Sequence, residues 1–164
     1  MHTYATALDL VGTAVPDHLA ADAEVPVLTG PQAQGDLLVV PSTTSVTTRL
    51  RPVPPDGVQV VRGEATGNTH WLHRGFDSPG VSWCRPDGDA SDEAERLVVA
   101  HLRVPDGQSA LLIHTDEHGA NGIGPGEYVI RRKRQLDAVP GPSDAARDLV
   151  AHRARRLSDV FVVD

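Results

Sequence analysis

The chain has 164 residues and a formal net charge of -7, with 40% hydrophobic, 23% charged and only 4% aromatic residues. This length suits one domain with a genuine core, and the composition predicts a core of Val, Leu and Ala. The acidic total disfavours general binding to nucleic acid or anionic membrane. The single cysteine, Cys84, excludes an internal disulfide and a cysteine-rich zinc site.

The sequence predicts neither a secretory signal nor a membrane span. No basic region followed by an apolar run opens the chain, and no segment approaches the roughly 18 consecutive apolar residues of a spanning helix. Together with the lone cysteine, these features predict a soluble cytoplasmic protein without a membrane partner.

The pattern along the chain predicts an N-terminal arm followed by one β-rich domain. Residues 1–34 show weak periodicity and three prolines, which predicts a weakly structured arm. Residues 35–164 form the predicted domain. Apolar and β-branched runs bounded by turn signals predict strands at 37–41, 58–62, 70–73, 81–84, 97–104, 110–114 and 127–135, with 42–48 as an edge strand or loop.

Two connections shape the predicted architecture. Pro105, Asp106 and Gly107 form a tight-turn signal, which predicts a hairpin between 97–104 and 110–114. Ser143 can cap a helix at about 143–157, whose apolar residues recur at spacings of three and four. The sequence therefore predicts a mainly β fold, a small antiparallel barrel or sandwich of seven to eight short strands with one C-terminal helix.

Histidines and carboxylates give the strongest chemical signal. His114 and His118 are four residues apart, and His70 comes from another predicted strand. Neutral imidazole is a common ligand for divalent transition metals, so these three histidines predict a site for one divalent ion, with Glu64 or Glu117 as a proton-handling catalytic residue. The alternative interpretation is a structural cluster in which histidines hydrogen-bond between loops.

Other groups carry less chemistry. Cys84 lies in an apolar predicted strand beside Trp83, which is typical of inert packing. The run from 131 to 134 is basic and could contact phosphate, although ordinary solvated charge or protection of a strand edge explains it as well. Its members are Arg131, Arg132, Lys133 and Arg134.

Three segments together resemble a family of small uncharacterised β-proteins from bacteria and phages. The segments are 35–41, 63–70 with Gly63-Glu64-Ala65-Thr66-Gly67-Asn68-Thr69-His70, and 112–118 leading to Pro125-Gly126-Glu127-Tyr128. The family pattern is Gly-Glu-x-Thr-Gly-His-x-His, then a His-x-x-Glu-His-like stretch. This chain has Asn68 where the first histidine of the pair stands in the pattern. The resemblance implies clustering of the histidines but no known activity.

Three hypotheses about function follow from the sequence. The first is a non-catalytic accessory or binding domain that acts through protein association or self-assembly, with a protein partner or a homo-oligomer. The second is a metal-dependent enzyme with a histidine-ligated divalent ion. The third is nucleic-acid binding through the basic C-terminal face.

Overall fold

Two β-sheets and a short N-terminal helix make up residues 1–44, 49–62, 69–86 and 96–133, the part of the chain that the computed structural model describes. The helix is α1 (Tyr4–Asp9). The strands are β1 (Val27–Leu28), β2 (Gln32–Gln34), β3 (Leu37–Pro41), β4 (Arg51–Pro52), β5 (Val58–Val61), β6 (His70–His73), β7 (Ser82–Cys84), β8 (Val98–Val104), β9 (Ala110–His114), β10 (Ala120–Ile123) and β11 (Gly126–Arg132).

The strands divide between a five-stranded and a six-stranded sheet. The five-stranded sheet has the order β1-β10-β9-β6-β5, and the six-stranded sheet has the order β2-β3-β11-β8-β7-β4. Every pairing is antiparallel except that of β1 with β10. The predicted mainly β, antiparallel fold is therefore confirmed, and a sandwich fits it.

Several finer predictions need correction. The described strands form two open sheets and not a closed barrel, and eleven strands replace the predicted seven to eight. The predicted hairpin between 97–104 and 110–114 is wrong, because β8 and β9 lie in different sheets. Each is an interior strand with a partner on both sides, so the turn at Pro105, Asp106 and Gly107 carries the chain from one sheet to the other.

The main core contains side chains from both sheets, contributed by every second residue along a strand. Along β3, Leu37 and Val39 are buried, while Leu38 and Val40 are only partly buried. Leu72 of β6, Leu102 of β8 and Ile130 of β11 belong to the same cluster of buried residues. This alternation follows the two-residue period of a strand, in which one face of each sheet is turned inward.

The strand β9 differs because all five of its residues are buried. Ala110 and Leu112 belong to the main core, whereas Leu111 and Ile113 point to the opposite face. There they pack with Leu8 and other residues of the N-terminal segment. Because both faces of β9 are covered, the strand is apolar along almost its whole length and does not alternate with polar residues.

The N-terminal segment, for which the sequence predicts weak order, contains α1, β1 and β2. Thr3 caps α1 by accepting a hydrogen bond from the Thr6 backbone N–H, and Leu8 is fully buried. β1 runs parallel to β10 and approaches it so closely that a methyl group on Gly122 would lie 2.7 Å from the Pro26 carbonyl oxygen. A residue without a side chain is therefore required at 122.

The C-terminal helix predicted at about 143–157 lies outside the described residues, as do residues 45–48 of the predicted edge strand or loop. The predicted strand at 127–135 corresponds to β11, which ends at Arg132. Within the described ranges, no helix is long and apolar enough to cross a membrane.

Candidate functional site

Three histidines form a row at the ends of two neighbouring strands. His70 opens β6 and His114 closes β9, and antiparallel pairing places them directly opposite each other. His118 lies in the loop between β9 and β10. The His70 and His114 ring centroids are 4.5 Å apart, and those of His114 and His118 are 4.8 Å apart. The structure thus brings together all three histidines singled out in the sequence, with His114 in the middle.

His70 is the innermost ring of the row and has unusual hydrogen bonding. The residue is 1% exposed, and neither Nδ1 nor Nε2 has a hydrogen-bond partner within the described residues. The Gln34 carbonyl is near enough to favour the protonated ring, but no hydrogen bond of ordinary geometry forms. Burial above all, with a contribution from His114, lowers the pKa of His70 to about 4. The ring is therefore neutral at physiological pH.

His114 is equally buried, but its Nδ1 is engaged. This nitrogen accepts hydrogen bonds from the backbone N–H groups of Asp116 at 3.2 Å and Glu117 at 3.1 Å. In a neutral ring whose Nδ1 accepts, the proton resides on Nε2. Burial first and His118 second lower the pKa of His114, although Asp116, Asp36 and Glu117 oppose them. His114 therefore holds the start of the loop that carries His118.

The turn between β2 and β3 completes the cluster. Asp36 Oδ1 lies 3.8 Å from His70 Nε2, and the Asp36 side chain is 61% exposed. Gly35 has φ +54°, and a methyl group there would lie 2.9 Å from His118 Cδ2. Glycine is needed at 35 both for this left-handed backbone and for the close approach of the rings. We refer to His70, His114, His118 and Asp36 as the histidine cluster.

Two residues fix this turn and the histidine loop to the sheets. Lys133 donates hydrogen bonds from its backbone N–H to the Asp36 carbonyl at 2.7 Å and from Nζ to the Gly35 carbonyl at 2.5 Å. The buried Gln34 side chain donates from Nε2 to the carbonyls of Leu112 at 3.0 Å and Gly119 at 3.2 Å. Lys133, the residue after β11, therefore holds the turn, and Gln34 holds the end of the histidine loop.

The remaining predicted site residues are distributed unevenly. Glu117 lies beside the cluster with an exposed side chain, whereas Glu64 lies outside the described residues. Of the basic run, Arg131 is partly buried, Arg132 is exposed, and Lys133 contacts the Gly35–Asp36 turn through its ammonium group. Arg134 also lies outside the described residues, so the complete run cannot be placed on one face.

The side chains as they stand do not form a ready metal centre. Among the described ranges, no three His, Cys, Asp or Glu residues are arranged to hold an ion. The three rings contact one another as aromatic neighbours, and His114 has no free acceptor at Nδ1. What the cluster offers chemically is one buried neutral imidazole with unsatisfied nitrogens beside an exposed imidazole and an exposed carboxylate.

Sequence reasoning did not assign Gln34, Gly35 or Asp36 to the site, and it assigned Lys133 to a basic surface and not to the histidine cluster. The dipeptide Gly35-Asp36 marks a turn before an apolar strand, but nothing in its spacing connects it to His70 or His118. The connection arises because β2 and β3 belong to the six-stranded sheet while β6 and β9 belong to the five-stranded sheet. Only the arrangement of the two sheets brings the turn to the histidines.

Fold and site together define a two-sheet β domain with a buried histidine cluster at one end of its strands. Residues 33–133, more than half of the chain, match the family described as a domain of unknown function (DUF8820). The chain belongs to this family. Comparison with curated proteins and with solved structures gives no match. The family is uncharacterised, in agreement with the resemblance in the sequence, while the bacterial or phage origin stays a prediction.

Proposed function

We propose that this chain is a non-catalytic binding domain that takes a small ligand at the histidine cluster. The supporting observation is that His70 is almost fully buried while both of its ring nitrogens lack hydrogen-bond partners within the described residues. Buried polar groups are nearly always satisfied, and exceptions mark sites of function or of unseen bound groups. His118 and Asp36 give such a ligand an exposed entrance, since both side chains reach solvent.

The energetic argument favours a role for the unsatisfied nitrogens. A buried donor or acceptor without a partner costs about 1–3 kcal/mol, so the donor and the acceptor of a neutral ring together cost several kcal/mol. An apolar side chain at position 70 would avoid this cost, because neighbouring Leu72 shows that β6 already packs apolar groups on this face. A ligand that bonds to a His70 nitrogen offsets part of this cost.

Binding fits the cluster better than acid–base catalysis. An efficient general base has a pKa near the working pH, whereas burial lowers the pKa of His70 to about 4. His114 presents Nδ1 to two backbone N–H groups, which occupies its basic nitrogen. These features support the first of the three sequence hypotheses, with a ligand site as its functional centre. Association with a protein partner stays a prediction.

Nucleic-acid binding receives less support from the described residues. Lys133 uses its ammonium group on the Gly35 carbonyl, and Arg131 is partly buried on β11. A strand that binds phosphate needs free cationic groups in a row. Two of the three described members of the basic run therefore depart from that requirement.

Histidine side-chain NMR tests the proposal directly. The untagged ¹⁵N-labelled full chain is titrated separately with zinc chloride, inorganic phosphate and sodium acetate, while the ring nitrogen shifts are recorded. We expect at least one probe to shift the His70 and His118 signals and to leave His73 unchanged, because His73 Nδ1 already accepts from the Gly75 N–H at 2.9 Å. Equal shifts at every histidine, or none with any probe, would refute the proposal.

A further inference from the structure

We infer that the ligand of the histidine cluster is a divalent first-row transition-metal ion, held by His70 Nε2, His118 Nε2 and the Asp36 carboxylate. This inference rests on the proposed binding function and gives it a ligand class. It also replaces the donor set predicted from sequence, in which His114 was the third ligand, by one that includes a carboxylate from the β2–β3 turn.

The two Nε2 atoms both lie close to Gly35. A single point, the position of a methyl group on Gly35, lies 3.3 Å from His118 Nε2 and 3.5 Å from His70 Nε2. Because position 35 has no side chain, both rings can lie against the Gly35 backbone with their Nε2 atoms close to this turn. The left-handed Gly35 backbone and the tight ring contacts both keep larger residues out.

The third donor needs only a small movement. In a tetrahedral site with bonds of about 2.1 Å, two ligand atoms lie about 3.4 Å apart. Asp36 Oδ1 is 3.8 Å from His70 Nε2, and the carboxylate is 61% exposed and able to rotate inward. His118 is also exposed. Closure of these two surface side chains on the buried His70 ring would convert the present arrangement into a ligand set.

His114 acts as a positioning residue in this arrangement. Its Nδ1 accepts from the Asp116 and Glu117 backbone N–H groups, so its Nε2 carries the proton and lacks a lone pair for a metal. The ring instead packs between His70 and His118 and fixes the first residues of the loop. Hydrogen bonds that orient the ligands of a metal contribute strongly to affinity.

Local charge favours a divalent cation. Asp36, Asp116 and Glu117 all act electrostatically on His114, and each favours its protonated form. Lys133 is the described cation that contacts the same turn. The Asp36 carboxylate beside His70 and the nearby Glu117 side chain give the cluster surroundings that attract a cation. Two imidazole nitrogens and one carboxylate suit zinc, cobalt, nickel or iron better than calcium or magnesium, which prefer oxygen ligands.

The test is a titration of the untagged full chain with cobalt(II) and zinc(II) after chelator treatment, followed by visible absorption and calorimetry. We expect one ion per chain in the wild type. Asp36→Asn and His118→Gln should weaken binding at least about 100-fold, more than the loss of a residue that merely orients a ligand. Glu117→Gln removes the same charge from the neighbouring loop and should weaken it less than about fivefold.

A second variant separates orientation from coordination. His114→Phe keeps a ring in the row but loses the Nδ1 acceptor, so the affinity should fall about 10- to 100-fold. At saturation its cobalt spectrum should match that of the wild type, because the donors are unchanged. A changed spectrum would make His114 a ligand and overturn the donor set, as would equal effects of Asp36→Asn and Glu117→Gln.

Failure of this inference is distinguishable from failure of the proposed function. If the wild type binds neither cobalt nor zinc, the metal inference is wrong. Phosphate or acetate shifts at the His70 and His118 rings in the NMR titration would then preserve the ligand-binding proposal with an anionic ligand. Absence of any response to all probes would remove both.

Discussion

Replacement of His70 by Phe tests whether the buried imidazole is retained for binding at the expense of stability. The substitution keeps a flat ring in β6 and removes one unsatisfied donor and one unsatisfied acceptor. Each such group costs about 1–3 kcal/mol, while the larger phenyl ring costs about 1–3 kcal/mol in overpacking. We therefore expect the metal-free variant to be more stable than the wild type by about 1 kcal/mol, a rise in Tm of about 2–4 °C.

The matched control is His73→Phe in the same strand. His73 is just as buried, but its Nδ1 accepts from the Gly75 N–H at 2.9 Å and the Pro55 backbone also hydrogen-bonds the ring. Its Cδ2 lies 2.7 Å from the position of a methyl group on Gly57, so a larger ring has little space. Loss of these bonds and the added crowding should lower the free energy of unfolding by about 3 kcal/mol or more.

Urea unfolding followed by circular dichroism, with chelator at pH 7.5, measures both variants against the wild type. The reasoning predicts opposite signs for two buried histidines three residues apart. If His70→Phe destabilises the domain as much as His73→Phe does, His70 has partners of its own. The basis for a ligand site would then be lost.

Three further predictions concern pH, the loop and the parallel strand. Folding stability should fall as the pH drops from 6.5 toward 4, because His70 binds a proton more readily in the unfolded chain than in the folded one. The total loss of stability should be near ~3 kcal/mol, measured by unfolding at several pH values, and it should be absent in His70→Phe. Gln34→Leu should cost about 2 kcal/mol in urea unfolding by leaving two backbone carbonyls without its amide, whereas the exposed Gln59→Leu should cost less than about 0.5 kcal/mol; equal costs would contradict the anchoring role. Gly122→Ala should lower stability by about 1–3 kcal/mol through collision with β1, and Gly30→Ala, which meets nothing within 4 Å, should not; a silent Gly122→Ala would show that β1 yields easily.

The long strands could be predicted because their side chains carry the signal. β3, β8 and β9 are rich in Val, Leu and Ile, and turn residues precede or follow each one. β1 and β4 have only two residues each, and β10 contains Asn121 and Gly122, which are more typical of turns. These strands exist because a neighbouring strand pairs with them, a tertiary cause that a local pattern does not contain.

Glycine shows the same limit. The sequence predicts that Gly119, Gly122, Gly124 and Gly126 serve a turn with positive φ. Gly119 and Gly126 have positive φ, in agreement with this. Gly122 lies within β10, and Gly124 follows that strand. The segment that contains β1 approaches both residues closely, so neither position has room for a side chain. A close approach between distant backbone segments selects glycine just as a tight turn does, so the sequence alone does not distinguish the two causes.

The histidine cluster was partly visible in the sequence. His114 and His118 are close along the chain, and the resemblance ties them to His70. The register of β6 against β9 then places His70 opposite His114. Asp36 lies in another segment of the same resemblance, but nothing there marks it as a site residue, because its proximity depends on how one sheet lies against the other. A donor from a different sheet is the kind of site residue that spacing rules cannot supply.

The N-terminal cover of β9 bears on how a fragment of this protein should be cut. The family match begins at residue 33, inside β2, while α1 and β1 lie before it. A recombinant fragment starting there would leave Leu111 and Ile113 without their cover and β10 without a neighbour on one side. An apolar sheet face beside an open strand edge invites aggregation. The smallest fragment suitable for solution work therefore begins before α1, some thirty residues ahead of the family boundary.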